Sequence, residues 1–173
     1  PVLSQSVVLD DFEANRKLSY INVSGTLSQS VTNPAPDTVN GSSTVARYVR
    51  SAATQYDLIS ASTDQIPDAA PYVRGEKAFY LDVYSTAPVG TSMLLQLENG
   101  STATASNFPT GRHSRYIART VTQKGWQRLK FLLDDRLDGG TADTAVKRMV
   151  LLINPNSYTG DTYYLDNYAI YAR

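Results

Sequence analysis

Two groups of carboxylates lie near opposite ends of the 173-residue chain. Asp11 and Glu13 close an alternating segment near the start, and Asp166 lies in another such segment near the end. If these two segments pair in one sheet, the three carboxylates come close together. Carboxylate oxygens, supplemented by backbone carbonyls, are the ligands that Ca²⁺ requires. The pattern predicts a structural calcium ion, and the alternative is a set of solvated carboxylates with ordinary hydrogen bonds.

The stretch from Arg112 to Arg119 is the most unusual local feature of the sequence. As a strand from Arg115, it sends Arg115 and Arg119 to one face and Tyr116 to the other. A guanidinium group donates two parallel hydrogen bonds, which suits carboxylate or sulfate groups. The stretch is therefore a candidate contact for an anionic polymer. The alternative is a solvated strand edge whose charges discourage aggregation.

A third candidate site combines tyrosines with planar polar side chains. In the alternating segment 77–85, Tyr80, Asp82 and Tyr84 share one face. A sugar ring stacks on an aromatic side chain and presents its hydroxyls to carboxylates, amides and guanidinium groups. If segment 92–98 pairs with this strand, it extends the face. The residues predicted to contact carbohydrate are Tyr80, Asp82, Tyr84, Gln96, Glu98, Arg115, Tyr116 and Arg119.

Other aromatic residues divide between loops and core. Tyr56, Tyr72 and Tyr158 lie outside the clearest strands and offer an alternative sugar site at the loop edge. Trp126 begins an apolar segment, so it is predicted to lie in the core. The remaining predicted core residues are Phe12, Phe79, Leu81, Val83, Leu129, Phe131, Leu151 and Ile153.

The residues for catalysis are few. A β-sandwich lyase neutralises a uronate with arginine and moves protons with histidine and tyrosine, and His113 and Tyr116 supply those types. His113 is, however, the single histidine and is predicted in a loop. A glycosidase needs two carboxylates flanking a sugar bond, and no motif places such a pair in a cleft. The lyase is the one enzymatic alternative that is kept.

Short alternating segments separated by turn residues dominate the chain, and only residues 142–148 are a candidate helical turn. About nine strands without crossover helices predict an all-β fold, an antiparallel β-sandwich of the jelly-roll kind. No internal repeat or linker is evident, so residues 1–173 are predicted to form one domain. The predicted strands are 6–13, 20–23, 44–50, 77–85, 92–98, 115–121, 126–133, 148–153 and 162–171.

Composition excludes several functions. Sixteen basic residues balance sixteen acidic ones, which argues against nucleic-acid binding, since nucleic-acid-binding proteins normally carry a basic excess. The absence of cysteine excludes disulfides and thiolate chemistry, and a single histidine excludes zinc sites built on paired imidazoles. No apolar run approaches the length of a membrane span.

Four segments resemble, in family order, a group of carbohydrate-binding modules with a galactose-binding-like jelly roll. Residues 8–13 (VLDDFE) resemble the first-strand DFE signature, and residues 31–50 resemble an NP segment followed by a strand that ends in arginine. Residues 125–129 (GWQRL) resemble the G-x-W entry to a late strand. Residues 160–168 (GDTYYLDNY) resemble the closing strand with its Asp-Asn pair. Segment 102–119 is longer and more basic than the usual pattern.

The resemblance implies a secreted, non-catalytic module, monomeric and covalently linked to an enzyme that degrades algal or plant polysaccharide. It implies one structural Ca²⁺, with Asn40 and Ser43 from the 40–43 loop joining the carboxylates of Asp11, Glu13 and Asp166. The expected ligand is a polysaccharide such as β-glucan, agar-type galactan or alginate. A structural or adhesive sandwich that binds a protein partner is a further alternative.

Overall fold

The computed structural model describes residues 2–173, which form twelve strands and one short helix. The helix α1 is a single turn, Ala70–Val73. The strands are β1 (Ser4–Asp10), β2 (Ser19–Val23), β3 (Thr26–Thr32), β4 (Thr44–Val49), β5 (Leu58–Ser62), β6 (Lys77–Ser85), β7 (Ser92–Glu98), β8 (Arg112–Arg119), β9 (Trp126–Lys130), β10 (Leu132–Asp135), β11 (Arg148–Ile153) and β12 (Thr162–Ala172).

The strands form two six-stranded sheets with antiparallel pairing throughout. The first sheet has the order β3-β4-β12-β6-β9, with β1 also paired to β12. The second sheet has the order β10-β8-β7-β11-β5-β2. This arrangement confirms the predicted antiparallel β-sandwich with a jelly-roll fold. Residues 2–173 contain no helix that is both long enough and apolar enough to span a membrane.

The core lies between the two sheets and follows the alternation of the central strands. On β6, Phe79, Leu81 and Val83 point inward and are fully buried, as predicted. On β7 and β11, inward-facing Leu95 and Leu151 join the same cluster. Because alternate residues fill the core, the intervening residues of each strand must face outward.

The predicted pairing of segment 77–85 with segment 92–98 is wrong. Strand β6 has β12 and β9 as its two neighbours, so it has no free side for β7. The turn after β6 carries the chain to the opposite sheet, where β7 pairs with β8 and β11. The two predicted halves of the sugar site therefore lie on opposite outer faces of the sandwich.

The loop of residues 33–43 covers part of the outer face of the first sheet. Trp126 is buried, as predicted, but it lies beneath the loop and not in the cluster between the sheets. Trp126 lies directly opposite Tyr84, and its Nε1 donates a hydrogen bond of 2.9 Å to Asn33 Oδ1. Strands β3 and β5 and the helical turn α1 were not predicted, and residues 142–148 form no helix. The predicted strand 126–133 divides into β9 and β10, which belong to different sheets.

Candidate functional site

A groove of about 630 Å³ crosses the outer face of the second sheet. Its floor comes from β5, β11, β7 and β8, and its walls come from loops at both ends of these strands. It therefore runs across the strands. The groove is lined by Tyr56, Leu58, Leu94, Gln96, Glu98, Ala105, Phe108, Arg112, Arg115, Val150, Leu152 and Pro155.

Three predicted sugar-contacting residues, Gln96, Glu98 and Arg115, line this groove. Strand β7 turns Leu95 and Leu97 into the core, so Gln96 and Glu98 face outward. Gln96 lies directly opposite Arg115 on β8 and opposite Val150 on β11. The register therefore places a planar amide beside a guanidinium group in the middle of the floor.

The polar groups of Gln96 and Arg115 are available to a ligand. Within residues 2–173, no hydrogen bond engages the side-chain amide of Gln96, although the residue is only 8% exposed. Arg115 uses its Nε to donate a 2.8 Å hydrogen bond to Asp134 Oδ2, and no such bond in this part of the chain engages its two Nη atoms. The amide of Gln96 and the Nη atoms of Arg115 are therefore suited to receive the polar groups of a ligand.

The carboxylate of Glu98 is engaged by two arginines and positions the 99–111 loop. Its Oε1 accepts a 2.8 Å hydrogen bond from Arg148 Nη2, and its Oε2 lies 3.8 Å from Arg112 Nε. Arg112 in turn donates 2.7 Å hydrogen bonds to Asn107 Oδ1 and to the carbonyl oxygen of Thr104. These contacts fix the 99–111 loop against the sheet as one wall of the groove.

An aromatic side chain stands in each wall. Phe108 is 56% exposed in the 99–111 loop, with the Arg112 guanidinium 5.5 Å from its ring centroid. Tyr56 is 54% exposed at the other end of the strands, just before β5. Tyr56 was predicted only as a loop-edge alternative, and Phe108 was not predicted. The signal for Phe108 was an aromatic residue placed among turn formers (Asn-Phe-Pro-Thr-Gly).

Three further predicted residues form part of the first sheet and do not contribute to the groove. Tyr80 stacks on Tyr171 with ring centroids 4.0 Å apart, and Tyr84 packs edge-to-face on Tyr164 and Trp126. Asp82 is fully buried under the 33–43 loop. The rings that contact Tyr84 meet it at 61° and 83°, whereas Tyr80 and Tyr171 are tilted by 33°.

The last two predicted contacts, Tyr116 and Arg119, have different outcomes. Tyr116 points into the core, where it packs edge-to-face on Phe79 at 6.0 Å, so its prediction as a sugar contact is wrong. Arg119 lies on the same outer face as Arg115, opposite Ser92, but outside the groove lining. The sequence correctly placed Tyr116 on the opposite face of β8 from Arg115 and Arg119. In the structure, the face that carries Tyr116 is the buried one.

His113 belongs to a buried hydrogen-bonded chain. Its Nε2 lies 2.7 Å from Asp143 Oδ1, and its Nδ1 lies 2.8 Å from Ser114 Oγ, which contacts the Tyr116 hydroxyl at 2.7 Å. Burial lowers the pKa of His113 and raises the pKa of Tyr116 to about 12. Because His113, Ser114 and Tyr116 are all buried, a polymer cannot reach the residues on which the lyase hypothesis depends.

The predicted calcium ligands are brought together only in part. Asn40 Nδ2 donates a 2.9 Å hydrogen bond to Asp166 Oδ2, and both residues are buried. Asp11 instead caps its own turn, because its Oδ1 accepts hydrogen bonds from the backbone N–H groups of Glu13 and Asn15. Glu13 is exposed, and so is Ser43, whose carbonyl oxygen accepts from the backbone N–H of Asn33.

The chemistry around Asp166 does not fit a calcium ion. Asn40 Oδ1 accepts from the Ser42 N–H, so Asn40 can turn only its N–H donors toward Asp166 and the neighbouring Asp82. Arg128 Nε donates to Asp82 Oδ1 at 2.7 Å. Asp166 Oδ1 has no hydrogen-bond partner, and burial raises the pKa of Asp166. A cation there would meet N–H donors, and no three histidine or acidic side chains converge on a metal site in residues 2–173.

Comparison with known proteins supports the fold. No protein-family model and no curated protein sequence matches the chain. A family 11 carbohydrate-binding module from Clostridium thermocellum, solved with a β-1,3-1,4-mixed-linked tetrasaccharide, matches with a TM-score of 0.55 at 12% identity, over 98% of this chain and 96% of that one. A family 30 carbohydrate-binding module matches with a TM-score of 0.57 at 15% identity, over 91% of this chain and 78% of that one.

An exo-β-agarase matches with a TM-score of 0.56 at 11% identity, over 98% of this chain. The chain spans 24% of the length of that enzyme. At these identities the similarity is one of fold. The chain has the jelly-roll fold of carbohydrate-binding modules, as the sequence resemblance implied.

Proposed function

We propose that the chain is a non-catalytic carbohydrate-binding module that holds a polysaccharide in the groove of the second sheet. The observation that carries this proposal is the pairing of the Gln96 amide with the Nη atoms of Arg115, none of which has a hydrogen bond within residues 2–173, on a floor bounded by Tyr56 and Phe108. Sugar recognition needs this combination of aromatic surface and planar hydrogen-bonding groups.

The floor and walls have complementary roles. Leu94, Val150 and Leu152 form an apolar floor onto which the C–H groups of a sugar can pack. The Gln96 amide offers a donor and an acceptor, and the Arg115 Nη atoms offer donors to hydroxyl oxygens. Because these hydrogen bonds replace hydrogen bonds to water, binding of one short oligosaccharide is expected to be weak.

The charges favour a neutral polysaccharide over an acidic one. Each arginine that lines the groove has a carboxylate neighbour, Glu98 for Arg112 and Asp134 for Arg115. An incoming carboxylate or sulfate group would meet these acidic side chains as well as the guanidinium groups. A neutral β-glucan or agar-type galactan therefore fits better than alginate.

Several parts of the proposal rest on the family resemblance. We include in it a secreted location, a monomeric state and a covalently linked catalytic domain that acts on an algal or plant polysaccharide. The module would then act by proximity, because retention on a polymer raises the local substrate concentration of the linked enzyme.

Affinity gel electrophoresis tests the proposal. The chain is run through native gels that contain laminarin, agarose, alginate or carrageenan, with polymer-free gels as the reference. Retardation by laminarin or agarose that is reduced by Tyr56→Ala supports the groove site. Ile21→Ala is the control, because Ile21 on β2 is as exposed as Tyr56 and lies outside the groove lining. No retardation by any polymer contradicts the proposal, and new polymer ends after incubation would reveal an enzyme.

A further inference from the structure

A continuous row of five aliphatic side chains crosses the outer face of the second sheet. Leu58 on β5 pairs with Leu152 on β11, and Leu152 pairs with Leu94 on β7. Leu94 pairs with Ile117 on β8, which pairs with Leu132 on β10. The row spans four inter-strand spacings, roughly 19 Å. It begins in the groove floor and continues past it to Leu132, which is 57% exposed.

A second row runs parallel to the first, two residues further along each strand. In it, Ser60 pairs with Val150, Val150 with Gln96, and Gln96 with Arg115. Arg115 is bonded to Asp134 at its far end. Apart from Val150, this row is polar. A glycan bound across the strands would therefore contact aliphatic side chains along one edge and hydrogen-bonding groups along the other.

The two rows make different demands on a glycan. A hydroxyl group over the aliphatic row loses its hydrogen bonds to water and gains none from the protein. A carbon substituent in the same place is removed from water at a gain in free energy. From this asymmetry, and resting on the proposed function, we infer that the groove selects a neutral glycan with one hydroxyl-poor edge. Along such an edge, an anhydro bridge, a deoxy position or an O-methyl group replaces the hydroxyl groups that other glycans have.

The charge pattern favours a neutral glycan over a charged polymer on this surface. The aliphatic row has no ionic side chain, and in the parallel row Asp134 balances Arg115. Leu132 is exposed, Leu58, Leu94 and Ile117 are partly exposed, and only Leu152 is buried. An accessible apolar surface with a polar rim is typical of an interaction site. The neighbouring Gln96 amide gives it the hydroxyl-reading edge that a sugar chain requires.

Two cellulose ethers and agarose test the inference. Methyl cellulose and hydroxyethyl cellulose have the same backbone. The substituents of methyl cellulose end in a methyl group, and those of hydroxyethyl cellulose end in a hydroxyl group. Agarose supplies anhydro sugar instead of O-methyl groups. We expect the chain to bind methyl cellulose and agarose at least about fivefold more tightly than hydroxyethyl cellulose, as expected for one hydroxyl group left without a partner.

Variants separate the two rows. Leu94→Asn should abolish the preference for methyl cellulose while leaving binding to hydroxyethyl cellulose, whereas Gln96→Ala should weaken binding to both polymers alike. Val89→Asn, at an exposed aliphatic residue outside the groove, is the matched control and should change neither. Thermal unfolding of each variant confirms that it is folded.

The outcomes distinguish this inference from the proposed function. Equal binding of all three polymers would overturn the inference and leave the proposed function intact. If the Leu94→Asn variant is folded but its binding to every polymer is weakened equally, the aliphatic row does not determine selectivity and the inference is wrong. If the chain binds none of methyl cellulose, hydroxyethyl cellulose and agarose, and also none of laminarin, alginate and carrageenan, the proposed function itself fails.

Discussion

Gln96 and Arg115 lie directly opposite each other on β7 and β8, and both side chains face the groove of the second sheet. One is an amide without a hydrogen bond in residues 2–173, and the other keeps its Nη atoms free while its Nε is bound to Asp134. This pair is the polar centre of a site whose floor also contains the aliphatic side chains of Leu94, Val150 and Leu152. Recognition of hydroxyl groups is therefore expected to depend on these two side chains.

Gln96→Ala should weaken binding to agarose by about 1 kcal/mol, or roughly fivefold in Kd, because it removes one donor and one acceptor from the floor. The free energy of unfolding should not fall, since the amide makes no hydrogen bond within residues 2–173. Affinity electrophoresis over a series of agarose concentrations gives the Kd. Gln5→Ala, at an exposed glutamine on β1, is the control and should bind like the parent chain.

Glu98→Gln should destabilise the fold by on the order of 3 kcal/mol, because it leaves the guanidinium groups of Arg148 and Arg112 without their buried carboxylate. Urea unfolding measures the change. Arg74→Ala breaks an ion pair with Glu76 that is exposed to solvent, so it should leave the free energy of unfolding nearly unchanged. Equal effects of the two substitutions would show that the Glu98 cluster does not fix the 99–111 loop.

Asp166→Asn should raise the free energy of unfolding at pH 7. Burial raises the pKa of Asp166 above its ordinary 3.8, so between that value and the folded-state pKa the native chain binds more protons than the unfolded chain. Stability from this group is therefore present below pH 3.8 and is lost as the pH rises through the folded pKa. The substitution should gain on the order of 1 kcal/mol at neutral pH, because it removes a buried negative charge next to Asp82.

The gain from Asp166→Asn should disappear below pH 3.8, where the carboxyl group is protonated in both states. Chemical denaturation at a series of pH values follows this change. An Asp166→Asn chain that is less stable than the parent at pH 7 would show that the charged carboxylate is needed, as it would be for a bound cation.

EDTA should leave the Tm unchanged, because the neighbouring carboxylates of Asp166 and Asp82 already accept hydrogen bonds from the Asn40 amide and the Arg128 guanidinium group. Differential scanning calorimetry with and without added CaCl₂ measures this. An increase in Tm with calcium that EDTA reverses would restore the calcium site implied by the family resemblance.

Alternation along the strands predicted much of the fold. Segments 77–85, 92–98 and 148–153 were placed with the bounds that the structure has, and the inward residues Phe79, Leu81 and Val83 were correct. Alternation tells which residues share a face, but it does not tell which strand is the neighbour. For that reason β6 was given β7 as a partner, when the turn between them changes sheets.

The candidate site was predicted in part for the same reason. Gln96 and Arg115 were named because their side chains suit sugars, and the register brings them together. Phe108 was missed because its role depends on how Arg112 and Glu98 hold the 99–111 loop, which is a property of tertiary contacts. Asp82 was named as a sugar contact, but the 33–43 loop covers it, and loop packing leaves no periodic signal in the sequence.

An NMR titration of the ¹⁵N-labelled chain tests the central claim most directly, with tetrasaccharides from agarose and from mixed-linked β-glucan as ligands. The account predicts shifts in the Gln96 side-chain amide and in backbone amides of β5, β7, β8 and β11, with those near Tyr80 and Tyr84 unchanged. Shifts centred on Tyr80 and Tyr84, or no shift with either tetrasaccharide, would contradict it.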